Sequence, residues 1–174
     1  MPSQAYLYGY TVPKINLNAF LDFINEYSSH EGFEIFQGVN ADLIAGEKHF
    51  LSALWHTRQA FAAGRNTGKK PAVELVRFLS CQRQISIAFQ LIGVKDSKDP
   101  QNVALVIVGE DISQISDQIN QKFLDKFDAQ RNDAVLNPSD KKLQRIAQTF
   151  WHAKDVSVSL EDLLEYIAAT ALNV

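Results

Sequence analysis

A chain of 174 residues with 46% hydrophobic and 21% charged side chains has ordinary globular composition and is long enough to bury roughly two thirds of its unfolded surface without a metal or disulfide. Its formal net charge of −3, averaged over the chain, speaks neither for nor against nucleic acid. The single cysteine, Cys81, excludes an internal disulfide and favours a reducing compartment.

Met1-Pro2-Ser3-Gln4 is not a basic segment leading into an apolar run, so no signal peptide is expected. Residues 5–12 are rich in aromatic and aliphatic side chains and stop at Pro13, which predicts a first strand. Apolar residues at 17, 20, 21, 23, 24 and 27 predict an amphipathic helix over 17–27. Gly32 resets the chain, 33–37 reads as a second strand, and 41–45 as a further short extended piece. The clearest helix is 47–63, where Phe50, Leu51, Leu54, Arg58 and Phe61 follow the helical repeat and Gly64 is placed to stop it. After a polar loop, 65–70, Pro71 suits the first turn of a helix running to about Ser80.

The next helix is expected over 82–92, ending at Gly93. It is apolar on two sides, with Ile85, Phe89 and Ile92 on one and Ile87 and Leu91 on the other, so it should be sandwiched between other elements. The β-branched run 103–109 predicts a buried strand and is far too short to span a bilayer. Residues 111–127 read as a helix. Asn137-Pro138-Ser139-Asp140 predicts a helix start with Asn137 as cap, continuing to about Trp151. Ser159 should cap a last helix, 160–172, with Leu163, Leu164, Ile167, Ala168 and Ala171 on its apolar side. The fold class is therefore mixed α/β. It is expected as a single domain over 1–174, a small β-sheet covered by helices with an additional helical block at about 47–92.

Most explicit chemistry fails on spacing. His49 and His56 lie seven apart, about 10 Å along a helix, too far for one zinc ion with bonds of roughly 2 Å. Ordinary surface or partly packed histidines are expected. Gly64-Arg65-Asn66-Thr67-Gly68-Lys69-Lys70 resembles a phosphate-binding P-loop but has three residues between its glycines instead of four. It also lacks a Ser or Thr after the lysine and follows a helix rather than a strand. Cys81 has a cationic neighbour in Arg83, yet nothing marks a partner histidine, and a packed cysteine at a helix junction is the expected reading. No catalytic residue, metal ligand or cofactor is assigned.

Charge is uneven. Residues 65–98 hold seven basic side chains (Arg65, Lys69, Lys70, Arg77, Arg83, Lys95 and Lys98) against Glu74 and Asp96, a net +5 that leaves −8 for the rest. Such asymmetry can mark a nucleic-acid-facing edge. Lys69 and Lys70 precede one predicted helix start and Arg83 follows another, where unpaired N–H groups suit phosphate. The bland alternatives are solvated loop charges, an ion pair between Arg83 and Glu74, and a helix cap for Gln84.

Ser80-Cys81-Gln82-Arg83-Gln84-Ile85, followed by Gly93-Val94-Lys95-Asp96, resembles the signature stretch of the PRPK-binding protein (CGI-121) family, the kinase-binding subunits of the KEOPS tRNA-modification complex. Ala41-Asp42, Gly46 with His49, Arg65-Asn66 and Glu74 match around it in order. The family's usual glycine is Cys81 here, at a junction where glycine permits positive φ. The resemblance implies a non-catalytic subunit that binds the small atypical kinase/ATPase and captures the single-stranded 3′ CCA end of tRNA for threonylcarbamoyladenosine formation. It would reach the catalytic and dimerising subunits only indirectly, without membrane contact, in the cytoplasm or also in the nucleus of a eukaryote. On that resemblance, Arg65, Asn66, Lys69, Lys70, Arg83, Gln84 and Lys95 are the RNA-binding candidates. The kinase-binding candidates are the apolar side of the last helix, Leu160, Leu163, Leu164 and Ile167, with Trp151 nearby; their bland reading is core packing. The competing functions are a small-molecule enzyme using Cys81 or the 64–70 loop, and a structural adaptor without RNA contact.

Overall fold

The computed structural model describes residues 3–172. The chain is mixed α/β and divides into two compact units, each made of two stretches: residues up to 41 with Val94–Val135, and Asp42–Gly93 with the chain from Leu136 onward.

The first unit is a four-stranded antiparallel sheet in the order β2-β3-β1-β4, with β1 at Ser3–Val12, β2 at Phe33–Asn40, β3 at Gln101–Glu110 and β4 at Gln130–Arg131. The central strand β3 is buried from Val103 to Gly109, as its unbroken β-branched run requires. Helices α1 (Leu17–Ser28) and α5 (Ser113–Phe127) close one face of the sheet. Their Phe20, Phe23, Tyr27, Phe123 and Phe127 pack with Tyr10 and Phe36 in an aromatic core, ring centroids 4.6–6.4 Å apart. Asn16 caps α1 by accepting the N–H of Ala19. The two-residue strand β4 has no hydrophobic signature and was not expected; it is held by pairing with Tyr10 and Thr11.

The second unit is helical: α2 (Gly46–Ala62), α3 (Pro71–Leu79), α4 (Ile85–Ile92), α6 (Asp140–Trp151) and α7 (Leu160–Leu172). Four expectations change here. Residues Ala41–Leu43 form a 3-10 turn rather than an extended piece. The buried face of α2 is Gly46, His49, Phe50, Ala53, Leu54, Thr57 and Ala60, so Leu51 and Arg58 face solvent. The rotation is possible because the two polar members of that face satisfy themselves. Thr57 donates to the Ala53 carbonyl, and His49 sits between the Ala45 N–H, which it accepts at Nδ1, and the Leu79 carbonyl, to which Nε2–H donates. His49 is thus a fully buried structural residue, not a surface one. Third, Ser139, not Asn137, caps α6 by accepting the Lys142 N–H. Fourth, α4 begins at Ile85, three residues later than expected, and is not sandwiched: only Ala88 and Ile92 are buried, and Ile87 is exposed.

Ser159 caps α7 as expected, in a reciprocal box with Asp162: its hydroxyl accepts the Asp162 N–H, and the Asp162 carboxylate accepts the Ser159 N–H. Gly64, at φ +64, ends α2 in a Schellman turn, with Arg65 N–H donating to the Ala60 carbonyl and Gly64 N–H to that of Phe61. No helix among the described residues is long and apolar enough to cross a membrane.

Candidate nucleic-acid interface

A buried charge shapes the loop between α2 and α3. Glu74, in the first turn of α3, is fully buried. Its Oε2 accepts the N–H groups of Thr67 at 3.1 Å and Gly68 at 2.6 Å; its Oε1 accepts Nε and Nη2 of Arg77 at 3.0 and 2.6 Å. A Cβ on Gly68 would lie 3.0 Å from the Glu74 nitrogen and 3.2 Å from its Oε2, so a side chain there would crowd the carboxylate that the loop closes on. The P-loop look-alike is therefore occupied from within: the protein's own carboxylate takes the N–H groups that a phosphate would need.

The same pair corrects the charge reading. Arg77 is 1% exposed, neutralised by Glu74 and laid over the Phe78 ring at 4.4 Å, so it adds nothing to a surface field. The alternative ion pair between Arg83 and Glu74 does not form: the Glu74 carboxylate is held by Thr67, Gly68 and Arg77. Lys95 and Lys98 belong to the other unit, where the main chain of Lys95 is held by the Gln101 side chain.

What remains in the helical unit is Arg65, Lys69, Lys70 and Arg83. All four are exposed, and none has a side-chain hydrogen bond or ion pair among the described residues. Asn66 braces the loop by donating to the Gly68 carbonyl. Arg83 and the exposed Gln84 lie before α4 rather than inside it. Cys81 takes the left-handed conformation, φ 53, and closes α3: its N–H donates to Phe78 and that of Gln82 to Arg77. The Gln82 side chain then bridges the Ser80 and Phe150 carbonyls. Gln84 occupies the cap position, but its side chain makes no capping bond. The loop cations and Arg83 thus sit at opposite ends of α3, about 14 Å apart along its axis.

Arg65 also lines a groove of about 260 Å³ with Trp55, His56 and Phe78, floored by Ala168 and Ala171 of α7. Trp55 is 58% exposed; His56 meets it edge-on, centroids 4.7 Å apart, and stacks on Phe78 at 5.7 Å. Partial burial lowers the His56 pKa, keeping the ring neutral at physiological pH. Sequence reasoning missed this groove. Its one legible sign was a tryptophan on α2 outside the apolar repeat.

Burial pushes the Cys81 thiol up to about 12, so the half-buried side chain carries no thiolate at neutral pH. On α7, Leu163 and Ile167 are fully buried in the helical core and cannot meet a partner in this conformation. Trp151, Leu160 and Leu164 are half-buried, and Trp151 stacks at 4.1 Å on Tyr166, which is 48% exposed.

The family model described as "Kinase binding protein CGI-121" matches residues 22–162. Direct comparison with curated protein sequences gives no match.

Proposed function

The chain belongs to the CGI-121 family of kinase-binding proteins, and from that premise we propose that it is the accessory subunit of KEOPS that docks on the small atypical kinase/ATPase and holds the 3′ CCA end of tRNA for threonylcarbamoyladenosine formation. The observation that carries the RNA half is the juxtaposition of Arg65 with the Trp55, His56 and Phe78 groove. Single-stranded RNA is bound by stacking unpaired bases on aromatic faces while nearby cations neutralise the backbone. Lys69 and Lys70 extend that cationic track at one end of α3, and Arg83 with Gln84 at the other, a separation suited to several nucleotides rather than one phosphate.

The subunit is non-catalytic in this reading. Its one thiol is protonated, and its one glycine-rich loop is filled by Glu74, which disfavours both enzyme alternatives. Trp151, Leu160 and Leu164, joined by Tyr166, form the kinase-facing patch. The RNA test is fluorescence anisotropy at low salt with intact tRNA and with tRNA lacking its CCA end. Binding should drop at least tenfold on truncation, and with Arg83→Glu; equal affinity for both tRNAs overturns CCA capture. For the kinase, Tyr166→Glu should abolish co-purification while leaving tRNA affinity unchanged.

A further inference from the structure

Strand β1 is ten residues long, yet its outer neighbour β4 covers only Tyr10 and Thr11. At the point where β4 ends, Gly9 gives its carbonyl to Asn132 N–H and its own N–H to the Asp133 carboxylate. Backbone direction alternates along a strand, so Leu7 and Ala5 point their N–H and C=O groups the same way as Gly9, to the outside of the sheet. No hydrogen bond among the described residues meets those groups. Ala5 is exposed and Leu7 half-buried.

Sheets normally guard such an edge with charge, proline or a bulge. The opposite edge of this sheet has two of these devices: β2 carries Glu34 and an irregularity between Phe33 and Ile35. The stretch of β1 closed by β4 is flanked by Arg131 and Asp133. The open stretch has none: Ser3–Val12 holds no charged residue and no proline, and its register with β3 is unbroken.

We propose that this edge is a self-association surface, on which β1 pairs antiparallel with β1 of a second copy, Ala5 opposite Ala5 across a two-fold axis. An uncharged strand is electrostatically compatible with itself. That register sets Leu7 opposite Ser3 of the mate and stops short of Gly9, where Asn132 and Asp133 already occupy the edge. Side chains facing across the junction would be Gln4 and Tyr6, again without like charges. The result is one sheet continuous through both copies.

Two substitutions at one position test this. Ala5→Pro removes the outward N–H but no bond to β3, since Ala5 points away from that strand. Ala5→Lys keeps the N–H and sets two like charges directly opposite. Sedimentation-velocity mass of the whole protein over a concentration series should show a monomer–dimer equilibrium for wild type. Each variant should weaken association by about tenfold or more, with unchanged far-ultraviolet circular dichroism. A wild type that stays monomeric at its highest soluble concentration overturns the proposal. So does a dimer that survives both substitutions, which would place self-association elsewhere.

Discussion

Cys81 carries a backbone conformation that L-residues avoid, at a cost of about 1–2 kcal/mol. The signature stretch that the chain resembles has glycine there, and φ 53 is consistent with that: the residue after α3 must turn left-handed to close the helix. Cys81→Gly should therefore stabilise the protein by up to ~1 kcal/mol, the relief of strain being partly offset by the larger entropy of the unfolded chain. A higher urea midpoint with an unchanged slope would verify it. His49 makes a second prediction. Burial lowers its pKa from 6.5 to about 4, and the nearby charge of Lys142 adds to this, outweighing the bond to Leu79. Between those values the unfolded chain binds a proton that the native state refuses, so stability is full above pH 6.5 and falls as pH drops toward 4. The loss from this residue amounts to roughly 3 kcal/mol. His56, also lowered, loses stability in the same direction, so the contribution of His49 is read as the difference between wild type and His49→Gln. Urea titrations at pH 7.5, 6 and 4.5 should give the variant the flatter pH dependence.

At the scale of elements, α3 and the loop before it stand on one ion pair. Glu74→Ala would leave the Arg77 guanidinium buried without a counter-charge and strip the Thr67 and Gly68 N–H groups of their acceptor. The expected destabilisation is about 3–5 kcal/mol, with rapid hydrogen exchange at Thr67 and Gly68. Little of this was legible beforehand. A glutamate and an arginine three apart on a helix read equally well as a solvated surface pair, and burial depends on what packs over them. The strong local signals fared better. The valine-rich β3, the cap of α7, Pro71 and Gly64 act through covalent geometry or a neighbouring side chain, so the chain alone reveals them. The start of α4 failed because the turn before it belongs to Cys81, a residue with no turn preference. The face of α2 failed because His49 and Thr57 look polar until their partners are known. The site divided the same way: the basic side chains were visible in the sequence, whereas the aromatic groove beside Arg65 joins α2, α3 and α7.

For the whole molecule, charge decides how the proposed RNA binding should respond to salt. Outside residues 65–98 the chain carries a net −8, which repels a phosphate backbone, so attraction must come from a few exposed cations. Four are identified in the helical unit: Arg65, Lys69, Lys70 and Arg83. If each neutralises one phosphate of a single strand, the logarithm of affinity should fall with the logarithm of salt at a slope of about −3, since each contact contributes about −0.7. Replacing Lys69 and Lys70 together by glutamine should lower that slope by about 1.4. Trp55→Ala should behave differently. It removes a stacking face worth about 1–3 kcal/mol and no charge, so affinity should fall about 5- to 150-fold at every salt concentration with the slope preserved. Parallel lines for wild type and Trp55→Ala, and a shallower line for the lysine variant, would separate base stacking from phosphate neutralisation. A Trp55→Ala line coincident with wild type would remove the groove from the RNA path and leave the cations to bind alone.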